Sequence, residues 1–361
     1  MFLSTKILFS TSVITALACA LVLARLAPYI GLIDHPGGRK DHAHATPVVG
    51  GLAIYLSATG IGLVAGFPDE YLVFLGAASI ILVAGIVDDF LEIAPLPKFL
   101  LQAAAATVMA LAGGVVLRSV GNLVGLGSIG TSILAVPISI FAVLGVINSI
   151  NMMDGIDGLA GSVSAVVLAA YAYVAYASNL PFHFYLLLIL LGTVVGFLIL
   201  NIRFPWQQRV RIFLGDTGSM LLGFIIAWYA IDLTQGMGRT FPPICALWVV
   251  VIPLCDCVSL MVRRLRVGKS PLRADRQHLH HFLLGRGMTV SQTQATIVIA
   301  TLVCAGIGIA GWRLHIPEPL LFAGFVLLFF VYHLGMIRAF RGQDVMTTGM
   351  RIFSAKNSDD I

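Results

Sequence analysis

The chain has 361 residues, of which 58% are hydrophobic and 11% are charged, and its mean hydropathy is +0.96. Soluble domains carry about a quarter of charged residues, so this composition excludes an ordinary soluble protein and predicts an all-α, polytopic membrane protein. The formal net charge is +5 at pH 7, and the positions of the basic residues along the chain predict its topology.

Eleven apolar segments are long enough to cross a bilayer, for which about 20 residues are needed. They lie near residues 7–30, 48–67, 71–90, 98–117, 132–150, 156–177, 183–202, 216–233, 242–262, 293–312 and 318–337. The apolar part of the first segment continues past Cys19 to Leu23, which favours a retained anchor over a cleaved signal peptide. The five cysteines show no paired C-x-x-C spacing, so neither a disulfide framework nor a zinc site is predicted.

The basic residues divide unequally between the two faces. The face that holds loops 31–47, 88–97, 148–157, 203–215 and 263–292 and the C-terminal tail contains all of the 22 Lys and Arg residues except Lys6, Arg118, Arg239 and Arg313. Cytoplasmic loops carry the excess of positive charge, so this face is predicted to be cytoplasmic, with the N-terminus outside. We expect one transmembrane domain, residues 1–338, and a cytoplasmic tail, residues 339–361.

The first cytoplasmic loop combines basic residues with a turn. Lys40 and His42 are placed to meet an anionic ligand, and Thr46-Pro47 followed by Gly50-Gly51 predicts a compact turn into the second span. The alternative is that the loop supplies only topological charge and a turn.

Two adjacent acids, Asp88 and Asp89, end the third span. Adjacent carboxylates repel each other, which raises the pKa of one of them unless a cation binds between or beside them. This pattern indicates a divalent metal or a proton acceptor, and the alternative is an acidic helix end solvated by headgroup water. Lys98 opens the fourth span and is predicted to reach lipid headgroups or to hold a lipid phosphate.

A polar stretch, residues 148–159, lies between two apolar segments. Asn148, Asn151, Asp154 and Asp157 recur every three residues, and on a continuous helix they would spread over roughly half of the circumference. The glycines at 155 and 158 permit a break that lets the two acids converge. Acids at a membrane boundary are candidates for function, and the alternative is a polar helix end with side-chain caps.

Two further acids lie near span ends. Asp216, in Gly215-Asp216-Thr217-Gly218-Ser219, begins the eighth span, where it serves either as an Mg²⁺ ligand or as a helix N-cap. Asp256 lies in the ninth span, about two turns before Arg263-Arg264, and we expect it to pair with one of these arginines in a structural role.

The largest cytoplasmic loop is strongly basic. Seven basic residues fall within 263–286, among them Arg264 and Arg276. Three histidines, His278, His280 and His281, lie in the same segment. This exceeds what topology requires and indicates a phosphate-bearing substrate or anionic lipid headgroups. Zinc is disfavoured because no cysteine lies nearby and cations surround the histidines.

Five motifs, in this order, resemble those of the polyprenyl-phosphate N-acetylhexosamine-1-phosphate transferases. They are Thr46-Pro47-x-x-Gly50-Gly51, Asp88-Asp89, Asn151-Met-Met-Asp154-Gly-Ile-Asp157-Gly-Leu159, Phe213-Leu-Gly-Asp216-Thr-Gly-Ser219 and Asp275-Arg-Gln-His278-Leu-His280-His281. The basic segment of residues 263–286, called the basic arm below, and the number of eleven spans resemble the WecA branch, which uses UDP-GlcNAc, more than the MraY branch. The insertion between Asn201 and Asp216 departs from the MraY pattern, so the role of Asn201 carries over weakly.

The resemblance implies roles for most of these residues. Asp216, assisted by Asp88 or Asp89, would hold Mg²⁺, with Mn²⁺ as a substitute, and Asp88 would deprotonate or orient undecaprenyl phosphate. Phe213 would stack on uracil, with Lys40 and Asp154 at its edge. Asp157 and Asn151 would complete the polar floor of the site, with Asp157 counted as catalytic beside Asp88 and Asp89. The remaining substrate contacts would come from His42, Thr46, Lys98, Arg264, Arg276, His278, His280 and His281.

The resemblance also implies partners and a location. We expect a UDP-N-acetylhexosamine, undecaprenyl phosphate and the bacterial inner-membrane bilayer as partners, no nucleic acid, and a site that faces the cytoplasm; a homodimer stays open. Direct displacement is favoured over a covalent intermediate because phosphoryl transfer depends chiefly on positioning and charge neutralisation. The rival functions are a cation- or proton-coupled transporter, which should show internal repeats and acids near mid-span, and a non-enzymatic scaffold.

Overall fold

The computed structural model describes residues 4–34, 45–203, 207, 209–235, 241–270 and 277–356, except for the side chains of Glu70 and residues 341–356. Over these residues the chain forms thirteen α-helices and one short β-hairpin-like pair. The helices are α1 Thr5–Ile30, α2 Gly50–Val64, α3 Asp69–Leu91, α4 Pro95–Leu111, α5 Ala135–Met153, α6 Leu159–Ala177, α7 Pro181–Asn201, α8 Gly215–Gln235, α9 Pro243–Val249, α10 Val251–Arg266, α11 Leu279–Gly285, α12 Val290–Arg313 and α13 Glu318–Lys356. Strands β1 (Ile33–Asp34) and β2 (Thr46–Pro47) pair antiparallel, with Ile33 opposite Pro47.

All eleven predicted apolar segments are helical, but the number that can span a bilayer is smaller. Eight helices are long and apolar enough, and α9 with α10 makes a ninth if this pair is one span bent by 81°. The other two segments, α2 with 15 residues and α4 with 17, are shorter than the ~20 residues that a full crossing needs. The protein is therefore a multi-pass, all-α membrane protein with eight to nine candidate spans among the described residues.

Helix α8 is the central helix of the bundle. Nearly all of its residues are buried, and it packs against α2, α3, α5 and α6. Glycines allow this close packing: a Cβ on Gly51 of α2 would lie 2.7 Å from the carbonyl carbon of Thr217, and one on Gly223 would lie 2.6 Å from the Cα of Ile147. Because α8 is enclosed on all these sides, its first turn is held in one place relative to the ends of its neighbours.

Several helix ends meet at the end of the bundle that is predicted to be cytoplasmic. Helices α3 and α5 end there, and α4, α6 and α8 begin there. The short turn between α3 and α4 is set by Glu92 in the left-handed conformation (φ 46°) and by a proline at the start of α4. The strand pair extends this end, because Val48 forms a bridge with Phe213 just before α8.

The last part of the chain consists of helices α11, α12 and α13. Helix α11 follows His278 and contacts α12, whose first turn has a capping box between Thr289 and Gln292. Helix α13 continues to Lys356, so the predicted tail 339–361 begins inside a helix. The five cysteines are all free, in agreement with the prediction that they form no disulfide.

Candidate active site

A cavity of about 1130 Å³ opens where these helix ends meet. Its wall contains five of the acids singled out in the sequence, together with Phe213, Asn151 and His281. The five acids are Asp88, Asp89, Asp154, Asp157 and Asp216. Residues from α3, the α5–α6 turn and α8 thus converge although they are far apart in sequence, as the prediction of a shared polar face required.

Asp88 is buried and is held by the start of the next helix. Its Oδ2 accepts a hydrogen bond and salt bridge from Lys98 Nζ of α4, and its Oδ1 accepts from the backbone N–H of Ile93 at 3.1 Å. The Asp216 carboxyl lies on its other side. Lys98 is not among the residues that line the cavity, and its partly exposed ammonium balances the charge of Asp88.

Asn151 links the end of α5 to the start of α8. Its Nδ2 donates to Asp216 Oδ1 and, at 2.9 Å, to Ser219 Oγ. Asp216 lies inside the first turn of α8, directly after Gly215, the residue at which the helix begins. The amide therefore fixes the direction of the Asp216 carboxylate toward the cavity.

The predicted break between α5 and α6 is confirmed. Helix α5 ends at Met153, Asp154 lies at the C-cap with ψ 54°, and Gly158 takes the left-handed conformation (φ 75°) before α6 begins. Burial and the neighbouring carboxylates of Asp216, Asp89 and Asp157 raise the pKa of Asp154 well above its usual range. The cavity therefore concentrates negative charge that a bound cation would relieve.

Asp157 lines the same cavity as Asp154 and forms a salt bridge with Arg203. Its Oδ2 accepts from Arg203 Nε at 2.7 Å and Nη2 at 2.5 Å, and the Arg203 side chain remains 44% exposed at the cavity wall. Arg203 was not among the predicted site residues. The signal in the sequence was its place in the basic insertion, two residues after Asn201. The amide of Asn201 accepts from Gly158 N–H and donates to the Ile212 carbonyl.

The Thr-Pro-x-x-Gly-Gly motif contacts the Phe-Leu-Gly-Asp motif through backbone hydrogen bonds. The N–H groups of Gly50 and Gly51 donate to the carbonyls of Phe213 and Leu214 at 3.0 and 3.1 Å, and Phe213 N–H donates to Pro47 at 2.8 Å. Phe213 is thereby presented, half-buried, at the cavity wall. Thr46 is buried in β2 and does not line the cavity, so this motif acts here as a support for Phe213.

The basic arm is anchored through Asp256, and the predicted partner of this acid was wrong. The salt bridge of Asp256 joins its Oδ2 to His278 Nδ1 at 2.7 Å, not to Arg263 or Arg264, while its Oδ1 accepts from Leu279 N–H at 3.0 Å and Tyr332 Oη–H at 2.6 Å. The contacts agree with the structural role expected of Asp256, because its carboxylate binds His278, the first residue of α11 and Tyr332 of α13. Arginine was the wrong partner because Asp256 and Arg263 lie seven residues apart on the same helix, which is about 10.5 Å of helix rise.

The three histidines have different positions. His278 and His280 are buried and stack in parallel with ring centroids 5.5 Å apart, while His281 lines the cavity. Burial and the neighbouring rings of His281 and His278 lower the pKa of His280 to about 3, so its ring is neutral at pH 7. His280 packs against Gly155 behind the wall, and only His281 of the three reaches the cavity in this structure.

Other predicted residues lie away from the cavity or outside the described part of the chain. Arg264 is 3% exposed on α10 and does not line the cavity. Arg263 joins α10 to the arm by donating from Nη2 to the Gln277 carbonyl at 2.7 Å. Lys40, His42 and Arg276 lie outside the described residues.

The chemistry of the wall fits a hard divalent cation. Asp88, Asp154 and Asp216 offer carboxylate oxygens, the donors that Mg²⁺ prefers. Among the described residues no three His, Cys, Asp or Glu side chains form a ready metal cluster. Mg²⁺ is usually held by one or two carboxylates plus substrate phosphates and not by an all-protein cage.

Comparison with known proteins identifies the family. The model of glycosyl transferase family 4 matches residues 71–234. Undecaprenyl-phosphate alpha-N-acetylglucosaminyl 1-phosphate transferase of Pasteurella multocida (strain Pm70) is 36% identical over 341 residues, covering 91% of this chain and 93% of that protein. The chain belongs to this transferase family. The enzymes of the same name from Haemophilus influenzae and Escherichia coli strain K12 are each 34% identical and cover 89% and 88% of the chain, and 91% and 87% of their own lengths.

Because the chain belongs to a transferase family, the role of Asp256 in holding the basic arm can be tested by both stability and activity. We expect Asp256→Asn to destabilise the protein by about 3 kcal/mol, because the buried carboxylate accepts three hydrogen bonds that an amide cannot replace in full. The KM for the sugar nucleotide should rise, since the arm is tied down through His278 and Leu279. Melting in detergent and the two Michaelis constants check this, with Tyr332→Phe, which removes one of three hydrogen bonds, as the milder control. An unchanged melting temperature for Asp256→Asn would contradict the anchor.

Proposed function

We propose that this protein transfers N-acetylglucosamine-1-phosphate from UDP-GlcNAc to undecaprenyl phosphate and releases UMP. The observation that carries the proposal is the acid-lined cavity at one end of the bundle, in a chain whose transferase relatives match about nine-tenths of its length. The product would be the lipid-linked first sugar of a cell-envelope polysaccharide.

The proposed reaction is a displacement at the β-phosphorus of UDP-GlcNAc. An oxygen of the undecaprenyl phosphate forms a new bond to this phosphorus, and the bond from the phosphorus to the bridging oxygen breaks, so that UMP leaves with the electron pair. Asp88 is placed to accept a proton from the lipid phosphate or to orient it, and Lys98, which contacts Asp88, would neutralise the incoming phosphate. Both substrates are then held together, which is the main requirement of phosphoryl transfer.

The uracil ring of the donor would bind to an aromatic side chain through its face and to polar side chains through its edge. Phe213 lies half-buried at the wall, and Asp154 and Asn151 flank the same cavity. Stacking of uracil on Phe213 and hydrogen bonds from its edge to these side chains would orient the donor. Mg²⁺, held by Asp216 and the neighbouring acids, would neutralise the diphosphate when bound.

The charge of the wall supports the proposal that donor binding needs cations. The described wall carries seven acids, Asp34, Asp88, Asp89, Glu92, Asp154, Asp157 and Asp216, whereas Arg203 is its one described Lys or Arg side chain. A diphosphate would be repelled by this surface without a divalent cation. We therefore place Arg203 among the donor-binding residues of the proposed reaction.

The location follows from the proposed substrates. UDP-GlcNAc is a cytoplasmic nucleotide sugar, so the cavity would face the cytoplasm, in agreement with the positive-inside distribution of Lys and Arg. The membrane would be the bacterial inner membrane, where undecaprenyl phosphate is presented beside the ends of α3 and α4.

The direct test is to incubate the purified protein with undecaprenyl phosphate, Mg²⁺ and a panel of UDP-sugars and to monitor UMP. We expect UMP only when both substrates and a divalent cation are present, with UDP-GlcNAc preferred over UDP-GalNAc and UDP-glucose. No UMP with any UDP-sugar under these conditions would contradict the proposal. The transporter alternative has no support, because the acids collect at one end of the bundle and not at mid-span.

Arg203 gives a prediction that separates donor binding from lipid binding. Arg203→Gln should raise the KM for UDP-GlcNAc by roughly tenfold, since one lost phosphate contact to a charged side chain costs about 1.5 kcal/mol. Arg203→Lys should restore this only in part, because an ammonium cannot replace a forked guanidinium.

The matched control is Arg211→Gln, which removes an exposed arginine from the same loop that does not line the cavity. The KM for undecaprenyl phosphate should change little in all three variants. Equal changes in the two Michaelis constants for Arg203→Gln would argue against a donor contact.

A further inference from the structure

Asp88 and Asp89, the two consecutive acids at the end of α3, bind residues of different helices. The Asp88 carboxylate points to α4, where Lys98 holds it. The Asp89 carboxylate points to α8: its Oδ1 accepts from the N–H of Asp216 at 2.7 Å, and its Oδ2 accepts from Thr217 N–H at 3.1 Å and Thr217 Oγ1–H at 2.6 Å. Side chains one residue apart on a helix diverge by about 100°, which is why the two carboxylates have different hydrogen-bond partners although both line the cavity.

Asp89 supplies the cap that α8 lacks in its own sequence. The first N–H groups of a helix have no partner within it, and Leu214, which precedes α8, carries no side-chain acceptor. Asp89 satisfies two of these groups from another helix, and its negative charge lies at the positive end of the helix dipole. Three of the roughly four acceptor positions of the carboxylate are thereby occupied.

Gly215 makes this approach sterically feasible. It takes the left-handed conformation (φ 75°), and a Cβ at this position would lie 2.7 and 3.0 Å from the two Asp89 oxygens. Any larger residue would therefore displace the carboxylate from the helix end. The glycine and the acid together fix where the first turn of α8 begins.

We propose that Asp89 is a positioning residue: it fixes the first turn of α8 so that Asp216 faces the cavity. The metal-binding and proton-accepting chemistry then belongs to Asp216 and Asp88, and Asp89 acts through the backbone of α8. This assignment rests on the proposed transfer reaction, and it replaces the direct catalytic and metal-binding roles that the Asp88-Asp89 motif suggested in the sequence.

The sign of a stability change in the absence of metal distinguishes the two roles. A carboxylate that waits for a cation is repelled by its acidic neighbours, so its replacement by Asn stabilises the metal-free protein or leaves it unchanged. A carboxylate that caps a helix is already satisfied, so its replacement removes hydrogen bonds and destabilises the protein. The measurement is thermal unfolding of the full chain in detergent with EDTA and no substrate.

We expect Asp89→Asn to lower the melting temperature by about 5 °C, and Asp216→Asn to raise it or leave it unchanged. Thr217→Val, which removes a single hydrogen bond to Asp89 and keeps the side-chain volume, should lower it by a smaller amount, whereas Thr217→Ser should match wild type. An increase for Asp89→Asn would overturn the proposal. If Asp89→Asn does not fold, the Thr217 pair decides: equal melting of Thr217→Val and wild type would also overturn it.

A second measurement tests positioning against a purely structural role. The Mg²⁺ concentration for half-maximal transfer should rise at least threefold in Thr217→Val and return to the wild-type value in Thr217→Ser, because the cap sets the direction of Asp216. Unchanged Mg²⁺ dependence in Thr217→Val would overturn the link from Asp89 to Asp216. The unfolding experiment needs no substrate, so its result stands even if the proposed reaction is wrong.

Discussion

Asp216→Asn is expected to lower kcat/KM for transfer by at least 100-fold, the size of effect seen when one preorganised electrostatic contact to a transition state is removed. The physical reason is that Asp216 is the acid that Asn151 and the first turn of α8 direct into the cavity. An amide oxygen at this position binds Mg²⁺ more weakly than a carboxylate, so the diphosphate loses its neutralising charge. Turnover at saturating Mg²⁺, followed by UMP release, is the measurement.

The control for this variant is Ser219→Ala. It removes the second hydrogen bond from Asn151 Nδ2 but leaves the Asp216 carboxylate in place, so its activity should fall by less than tenfold. Both proteins should remain folded in detergent. Near wild-type turnover of Asp216→Asn at saturating Mg²⁺ would show that the metal is held elsewhere.

Asp88→Asn is expected to abolish transfer while UDP-GlcNAc binding, measured by calorimetry, stays within about twofold. Asp88 is bound to Lys98 at the side of the cavity next to α4, where the lipid phosphate is proposed to enter. The variant removes the group that accepts the proton or orients the nucleophile but leaves Phe213 and Arg203 in place for the donor. Loss of nucleotide binding together with activity would instead indicate a metal site shared with Asp216.

Lys98 provides the comparison for Asp88. Lys98→Met keeps the length of the side chain and removes its charge, so the KM for undecaprenyl phosphate should rise more than that for UDP-GlcNAc. Lys98→Arg should retain part of the activity because it keeps the charge beside Asp88. If Lys98→Met changes only the donor KM, the lipid phosphate is not bound on this side.

Local patterns were sufficient for the class of the protein and for five of the acids that line the cavity. Apolar segments placed all eleven helical regions, because the length of an apolar run and the charge of its flanks are local properties. The break after Met153 was predictable for the same reason, since Asp154, Gly155 and Gly158 interrupt the helix wherever it lies. Acids at the ends of spans three, five and eight were expected to converge, and all three ends line one cavity.

The partner of each acid depended on the tertiary structure. Asp89 reaches α8 across 127 residues of sequence, and Asp157 reaches Arg203 across 46. How the two adjacent carboxylates divide between Lys98 and the first turn of α8 depends on the rotation of α3 in the bundle. Asp256 meets His278 because the chain returns to α10 at the start of α11, which no local pattern indicates. By itself, therefore, the sequence determined the membrane class, the helices and the acids of the site, because spacing and polarity are local. Only the packing around α8 decided what each acid contacts, because that depends on helix rotations that no local pattern encodes.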